Sequence, residues 1–489
     1  MARMRRALWT VLLWAGCAGP ESGEPFDLVV SGGRALDPET GLDAVRHVGI
    51  RGGTIAAVSP HPLRGGVEID ARGLVVAPGF IDLHSHGDVA SVEADLANQA
   101  RKATDGVTSA LELEVGTADV DRWYADRAGR SLIHYGVSIG HIPVRMEVMD
   151  DSPAFLPPSS ARANTVAASD DQVAEIRRRI ERGLRRGAVA VGFGIQYTGA
   201  ASRWEILEAF RAAAAFGASC HVHMRHNGRR EPASSTAALQ EAISAAFVTG
   251  APLHVVHLHS TSGRLTARHL EILAEARARG LDVTTECYPY TFGMTNLNSG
   301  VFDGDWRAEL EIDYPDVQWV ATGERLTPET FARYRAQGGL VAIHSIPEDA
   351  VRAAVAHPLV LVASDGLAQN GRGHPRNAGT YARLLGRYVR EEKTLSLMEA
   401  VRKSTLLPAR RLERHAPVFR RKGRLQAGAD ADLVVFDPAT VIDRATLEDP
   451  GRPPEGIRHV LVAGVPVVRD GKLQTGVFPG RPLRAPIRE

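Results

Sequence analysis

The stretch APGFIDLHSHGDVA, residues 77–90, decides the fold, because an apolar run ends in two histidines one residue apart. The apolar residues before the histidines predict a buried β-strand. Successive side chains of a strand point to opposite faces, so His84 and His86 share one face, and Asp82 points the same way. Two neutral nitrogen donors side by side at the end of a buried strand indicate a site for chemistry at that end.

Seven further apolar runs follow, and each of them also ends in polar residues. In chain order the eight runs are GLVVAPGFIDLHSH, GVTSALELE, IHYGVSIGH, GAVAVGFGIQY, GASCHVHMRH, PLHVVHLHS, LDVTTECYPY and PLVLVASDG. Helical patterns such as DDQVAEIRRRIERGLRRG separate them, and this alternation predicts βα units with a parallel sheet. The sequence therefore predicts an α/β fold with a (β/α)8, TIM-like barrel over residues 77–415, whose chemistry lies at the C-terminal ends of the strands.

Short strands separated by glycine turns flank the predicted barrel on both sides. They occupy residues 26–76, in runs such as DLVVSGGRALD, and residues 416–485, in runs such as GADADLVVFDP. The similar style of the two blocks predicts that they pair into one small β-sandwich domain beside the barrel, built from both chain ends.

Residues 1–17 differ from the rest of the chain and predict a signal peptide. MARMRR is basic, and ALWTVLLWAG is apolar but too short to span a bilayer as a stable helix. Cys17 resembles the lipobox cysteine of bacterial lipoproteins, although Trp14 stands where a smaller aliphatic residue is usual. We expect an exported protein, periplasmic or anchored to the membrane through this cysteine, with a simple cleaved signal as the alternative.

The composition excludes several other classes of protein. Of the 489 residues, 44% are hydrophobic and 24% are charged, and the net charge is +1 with opposite charges interspersed, so no basic stripe indicates nucleic-acid binding. No later segment is long and apolar enough to span a membrane, so we expect membrane contact only through the lipid anchor. Cys220 and Cys287 cannot form the disulfide framework of a small secreted scaffold, and burial is their expected role. No residue pattern indicates an oligomeric state.

Residues of the types that bind metals end four of the predicted strands. His84 and His86 end the first, His223 the fifth, His257 the sixth and Asp365 the eighth. Imidazole nitrogens and a carboxylate suit Zn²⁺, which they bind at about 2 Å. A single strand-borne histidine is more often a hydrogen-bonded core residue, but the whole set predicts a metal site at the mouth of the barrel.

Taken together, the motifs resemble the amidohydrolase superfamily and, within it, the D-aminoacylase branch of N-acyl-D-amino-acid deacylases. The resemblance rests on GFIDLHSH, HVHMR, VVHLHS, ECYPYTFGMT and GHPRNAGTYARLLGRYVRE, and it runs from about Phe26 to Arg484. It implies a hydrolase of N-acyl-D-amino acids or related small amides that holds one or two Zn²⁺ ions or other divalent metals. The fourth run lacks the lysine that bridges two metals in several other branches, which favours the D-aminoacylase branch.

The resemblance also implies roles for individual residues. The residues that match metal ligands are His84, His86, His223 and His257. Asp365 matches the catalytic aspartate, which would take a proton from water and deliver it to the departing amine. His141 and Arg145 lie in GHIPVR, which matches a run whose histidine faces the site; His141 would bind the oxyanion or only a neighbouring strand. Tyr288 and Arg376 match substrate-carboxylate contacts, with a surface salt bridge as the alternative for Arg376.

Three positions depart from the family pattern. The branch has a cysteine ligand on the second strand, whereas LELEVG offers Glu112 and Glu114, and Glu114 is preferred because it lies nearer the mouth. One or both glutamates would otherwise orient a histidine. His259 replaces a lysine and Met294 replaces a serine, so His259 is a substrate contact that is mostly neutral at pH 7. The reaction class survives these changes better than the substrate does.

Two other functions stay open at this stage. The first is hydrolysis of a cyclic amide, as in dihydroorotases and hydantoinases, or of a dipeptide, on the same scaffold. The second is an inactive solute-binding or metal-storing lipoprotein, although binding alone would not need the aspartate Asp365. The expected partner is a small-molecule amide whose acyl group, side chain and enantiomer the sequence leaves open.

Overall fold

The structure, a computed structural model, describes residues 24–489 of the chain. The predicted signal peptide and Cys17 lie outside the described residues. Within the described part, we find no helix that combines the length and the apolar character needed to cross a membrane.

The centre of the molecule is a nearly closed barrel of eight parallel strands, which confirms the predicted fold class. In chain order the strands are Phe80–Asp82, Val107–Thr117, His134–Gly140, Ala190–Gly194, Ser219–His223, Leu253–Val255, Val283–Cys287 and Val360–Val362. Each predicted apolar run contains one of them, and they hydrogen-bond to one another in the same order. Most of their residues are buried, as expected for parallel strands covered by helices.

Helices cover the outside of the barrel and fill the loops between its strands. The α-helices are Val92–Thr104, Val120–Ala125, His141–Val148, Arg162–Thr165, Asp170–Arg185, Arg203–Phe216, Ser235–Thr249, Leu258–Ser262, Thr266–Ala278, Trp306–Leu310, Pro328–Gln337, Glu348–Ala356, Arg376–Arg383, Leu397–Ser404 and Leu406–Leu412. A π-helix spans Leu384–Glu391. Short 3-10 helices span Ile195–Thr198, Gly263–Leu265, Gly300–Phe302, Tyr314–Asp316 and Pro417–Arg421.

The helix Asp170–Arg185 shows how the sequence builds this outer layer. Ser169 and Gln172 form a capping box, in which each side chain accepts a hydrogen bond from the other residue's backbone N–H. Two aspartates in the first turn lie at the positive end of the helix dipole. The buried side chains recur at helical spacing and face the barrel; they are Val173, Ile176, Ile180 and Leu184.

A buried polar network closes the barrel between the first and last strands. The Asp82 carboxylate accepts hydrogen bonds from the Ser364 backbone N–H at 2.9 Å, the Ser364 hydroxyl at 2.6 Å and the Lys102 ammonium at 2.9 Å. Asp82 therefore lies in this seam, and its carboxylate does not join the imidazoles of the same run. Because Asp82 lies two residues before His84 and Ser364 directly precedes Asp365, the seam fixes the relative positions of two site residues.

Strands from both chain ends join one nine-stranded sheet beside the barrel, as predicted. The strands are Phe26–Asp37, Leu42–Arg51, Thr54–Ser59, Gly65–Asp70, Val75–Pro78, Leu433–Phe436, Ile457–Val462, Val465–Arg469 and Lys472–Leu473. Val75–Pro78 connects the two blocks, since it pairs with the first strand on one side and with Leu433–Phe436 on the other. Residues 480–485 leave this domain and hydrogen-bond to the N-terminal end of the barrel, at Ser131, Tyr135 and Gly187.

Two small sheets that the sequence analysis did not foresee lie at the C-terminal mouth. Gly293–Asn296, Val317–Trp319 and Leu340–Ile343 form an antiparallel sheet within the segment between the seventh and eighth barrel strands. Ser85–Asp88 pairs with Gly366–Gln369, which in turn pairs with Arg372–Gly373. The first sheet walls a cavity at the mouth, and the second joins the loops that carry His86 and Asp365.

Candidate metal centre

Six side chains that can bind a metal converge at the C-terminal mouth of the barrel. They form two groups whose ligand atoms lie within 4.8 Å of one another: His84, His86, Glu114 and Asp365 form the first group, and Glu114, His223 and His257 form the second. All five residues expected from the strand ends are in this cluster. Glu114 belongs to both groups, so its carboxylate lies between two potential ion positions.

Nitrogen and oxygen atoms of the first group face one another closely. His84 Nε2 lies 3.1 Å from His86 Nε2, 2.5 Å from Glu114 Oε2 and 3.5 Å from Asp365 Oδ1. His86 Nε2 lies 3.4 Å from the same glutamate oxygen and 3.3 Å from the same aspartate oxygen. Four ligands at about 2.0–2.1 Å from a tetrahedral Zn²⁺ would be about 3.3 Å apart. Four of these five separations match that spacing, so the donor set fits a zinc ion.

The second group contacts both oxygens of the shared glutamate. Glu114 Oε1 lies 2.9 Å from His223 Nδ1, and Glu114 Oε2 lies 3.9 Å from His257 Nε2. The Gln196 side-chain oxygen lies 2.9 Å from His223 Nε2 and thereby turns Nδ1 towards the glutamate. The group offers two imidazoles and one carboxylate, a set that also suits zinc.

The electrostatics of the cluster favour a bound cation. Burial would raise the pKa of Glu114, but His84 and His223 hold it well below its usual range. Burial lowers the pKa of His84, yet the carboxylates Asp365, Glu286 and Glu114 raise it to about 10. Burial and the neighbouring His223 lower the pKa of His257 to about 4, which leaves a neutral imidazole with a lone pair to share. The carboxylates thus stay ionised and stabilise positive charge among them.

The backbone is strained at two residues of the cluster. Asp365 has a φ of 49° and His257 a φ of 28°, values that residues with a side chain rarely adopt. His257 lies two residues after the sixth barrel strand and Asp365 three residues after the eighth, where the positive φ turns their side chains into the mouth. Strain of this kind is concentrated at functional sites, where the surrounding packing maintains it.

Two further glutamates hold the outer nitrogens of the paired histidines. Glu112 Oε2 lies 2.6 Å from His86 Nδ1, and Glu286 Oε1 lies 2.5 Å from His84 Nδ1. Glu112, the alternative ligand from the sequence, is therefore placed behind a histidine and outside both groups. Sequence reasoning missed Glu286, although its signal was present as an acidic residue near the end of the seventh strand, in TTECYPY. His254 Nε2 binds its second oxygen at 2.9 Å.

Asp365 is held from its outer side by Arg376. The guanidinium Nη2 lies 2.9 Å from Asp365 Oδ2, which leaves Oδ1 facing the histidines. Arg376 is fully buried, stacks on the Tyr288 ring at 4.3 Å, and has no hydrogen-bond partner for Nε or Nη1. His259 packs edge-on against the same ring at 4.4 Å. Burial, His257 and Arg376 lower the pKa of His259 to about 3, so this ring adds no positive charge.

His141 and Arg145 are not brought to the cluster. Their side chains are fully buried and share one partner: His141 Nε2 lies 2.8 Å, and Arg145 Nε 2.9 Å, from Glu205 Oε1 on the helix Arg203–Phe216. Neither residue lines the cavity at the mouth. The structure thus places both residues in a packing contact between the helices His141–Val148 and Arg203–Phe216. We assign neither residue a contact with substrate.

A cavity opens onto the cluster at the mouth of the barrel. The metal-binding side chains on its wall are His86, Glu114, His223, His257 and Asp365. Tyr288 also lines it, and its hydroxyl has no hydrogen-bond partner. The arrangement can therefore hold one or two cations beside a space for an uncharged or partly polar molecule.

Comparisons with known proteins point to one family. The model of the amidohydrolase family, Amidohydro_3, matches residues 67–468. An N-acyl-D-glutamate deacylase of Alcaligenes xylosoxydans xylosoxydans is 32% identical over 91% of this chain and 94% of its own length. A D-aminoacylase of the same organism is 31% identical over 94% of this chain and 98% of its own. The solved N-acyl-D-glutamate deacylase from Bordetella bronchiseptica, complexed with zinc and a phosphonate mimic of the tetrahedral intermediate, superimposes with a TM-score of 0.81 and 29% identity, covering 94% of this chain and 100% of that chain.

Proposed function

The chain belongs to the amidohydrolase family, and we propose that it is a zinc-dependent hydrolase that deacylates N-acyl-D-amino acids or related small amides. The resemblance to the D-aminoacylase branch is confirmed by its relatives. The observation that carries the proposal is the convergence of His84, His86, Glu114 and Asp365, with His223 and His257, and the cavity that five of these six side chains line.

Asp365, Arg376 and Glu114 have separate roles in the proposed amide hydrolysis. Bound zinc supplies a Lewis acid that polarises the carbonyl and lowers the pKa of water towards about 7. Asp365 Oδ1, which faces the two histidines, accepts the proton from the attacking water and delivers it to the amide nitrogen as the carbon–nitrogen bond breaks. Arg376 holds the other oxygen of Asp365, so the carboxylate cannot rotate away. Glu114 replaces the cysteine of the branch as the ligand that both ion positions share.

Tyr288 is proposed to bind the carboxylate of the substrate, and Arg376, which lies behind the Tyr288 ring and outside the cavity wall, to hold Tyr288 and Asp365 in place. The Tyr288 hydroxyl is buried without a partner, which is costly unless a ligand satisfies it. His259 packs behind Tyr288 and, as a neutral ring, orients it in place of the cation expected from the branch.

The decisive variant is Asp365→Asn. We expect it to retain zinc but to lower turnover of N-acetyl-D-amino acids at least about 100-fold, because general acid–base catalysis contributes 10²–10⁴-fold. The release of free D-amino acid from the zinc-loaded protein measures this. Asp121→Asn, at the opposite end of the barrel, is the matched control and should keep full turnover. Near-normal turnover of Asp365→Asn would remove Asp365 from its role.

Export and acylation at Cys17 remain predictions from the sequence. Labelling of the expressed protein with a radioactive fatty acid tests the anchor, and Cys17→Ser should abolish the label. Secretion without incorporated label would favour the simple cleaved signal.

A further inference from the structure

We infer that the cavity beside the metal centre selects N-acyl amino acids with an uncharged side chain and disfavours acidic ones. This inference rests on the proposed function and names the substrate class within it. The similar proteins include an N-acyl-D-glutamate deacylase, a D-aminoacylase and an N-acyl-D-aspartate deacylase. Similarity to them therefore does not predict which substrate side chain this cavity accepts.

The walls away from the metal centre carry apolar side chains together with uncharged polar ones, among them Gln196, Asn227, Ser260, Thr261, Thr295 and Ser345. The apolar side chains that line them are Phe155, Leu156, Met294, Val301, Leu310 and Ile343. Met294 and Ile343 lie on neighbouring strands of the small antiparallel sheet, where Gly293 pairs with Ile343. Both are only 8% exposed, so their positions are fixed by packing. Each methylene that a substrate moves from water onto such a wall is worth about fourfold in affinity.

No lysine or arginine lines the cavity in the part of the chain that the structure describes. The ionisable groups on its walls are the tyrosines, the histidines of the metal centre and the carboxylates Glu114 and Asp365. Away from the centre, a side-chain carboxylate would therefore meet apolar and uncharged polar groups and no cationic side chain. Burying a charge without a partner is strongly unfavourable.

Three arginines outside the cavity lining have carboxylate partners. Arg225 forms a two-pronged ion pair with Glu241 at 2.7 and 2.8 Å. Arg264 lies on a groove that adjoins the cavity, and its Nε is 3.8 Å from a Glu311 carboxylate oxygen. Arg376 holds Asp365 and does not line the cavity. A second carboxylate on the substrate thus finds no free cation among these side chains.

The test compares N-acetyl-D-norvaline, N-acetyl-D-glutamine and N-acetyl-D-glutamate as substrates of the zinc-loaded enzyme. The side chains of glutamine and glutamate have nearly the same shape and differ mainly in charge. Norvaline, whose side chain is apolar, shows the effect of side-chain polarity by comparison with glutamine. We expect kcat/KM for glutamate to be at least about 100-fold below that for norvaline, with glutamine between them. Equal or faster turnover of glutamate would overturn the inference while leaving the proposed function intact.

Variants place a cation on the apolar wall. Met294→Lys, or Ile343→Lys if the first does not fold, should raise the glutamate-to-norvaline ratio of kcat/KM at least tenfold, whereas Met294→Gln should not. Leu473→Lys adds the same charge to the nine-stranded sheet, away from the cavity, and should leave the glutamate-to-norvaline ratio unchanged. A ratio unaffected by both cavity lysines would contradict the inference.

If the proposed function is wrong, none of the three compounds is hydrolysed, which differs from the preferential hydrolysis of glutamate that would overturn the inference. In that case, isothermal titration calorimetry of the zinc-loaded protein with the same compounds still measures which substrate side chain the cavity prefers. Tighter binding of norvaline than of glutamate supports the inference, and tighter binding of glutamate overturns it.

Discussion

Replacing Glu286 by glutamine should weaken zinc binding although this residue is not itself a ligand. Its carboxylate lies 2.5 Å from His84 Nδ1 and is fully buried, so it holds the histidine in the tautomer whose Nε2 lone pair faces the centre. His254 Nε2 holds the other oxygen at 2.9 Å. Glutamine keeps the shape and one acceptor for His84, and its amide can donate to His254, so the fold should survive.

The magnitude follows from the loss of a buried hydrogen bond to an ionised group. Such a bond contributes about 1.5–3 kcal/mol, which corresponds to roughly a 10- to 100-fold change in an equilibrium constant. Residues that orient a metal-bound histidine change metal affinity by about the same factor. We therefore expect the Kd for zinc of Glu286→Gln to rise about 10- to 100-fold.

A competition titration of the metal-free protein against a chromogenic zinc chelator measures this Kd. Glu205→Gln is the matched control, because Glu205 is equally buried but contacts His141 and Arg145 far from the cluster. That control should change the free energy of unfolding and leave the zinc Kd unchanged. The metal-free Glu286→Gln protein must first show a cooperative thermal melt, which shows that it is folded. A zinc Kd within twofold of the wild-type value in that protein would refute the positioning role.

Two further predictions concern stability. Lys102→Met leaves Asp82 as an unpaired buried charge in the barrel seam, so we expect the free energy of unfolding to fall by about 3 kcal/mol in a denaturant melt; an unchanged midpoint would contradict the seam's role. Lys422 and His134 outweigh burial and hold the pKa of Asp432 well below its usual range. A depressed carboxyl pKa adds stability above the unfolded pKa of about 4. As the pH falls below that value, this stability is lost at about 1.4 kcal/mol per pH unit. Melts from pH 6 to pH 3 should therefore show a stability gap between wild type and Asp432→Asn that narrows below about pH 4, and a constant gap would contradict this account.

Hydrophobic patterning was enough to predict the barrel and most of the metal cluster. Eight apolar runs with polar ends placed His84, His223, His257 and Asp365 at the C-terminal mouth, because the ends of parallel strands meet there. Glu114 was preferred over Glu112 from its position nearer the mouth, and the structure places it between both ligand groups.

What the sequence left open depends on contacts between distant segments. Glu286 acts on a histidine 202 positions away, and nothing local to either residue records that pairing. His141 sits in a motif that suggested a site role, yet Glu205 on another helix binds it in the packed layer outside the cavity. The apolar wall comes from an inserted sheet whose strands are too short to give a pattern of their own.

The most direct test of the whole account is an anomalous diffraction map of zinc-loaded crystals, recorded at the zinc absorption edge. We predict a peak within about 2.0–2.2 Å of His84 Nε2, His86 Nε2 and the Glu114 carboxylate, with any second peak beside His223 and His257. A fully loaded protein whose anomalous peaks all lie away from Glu114 would contradict the central claim.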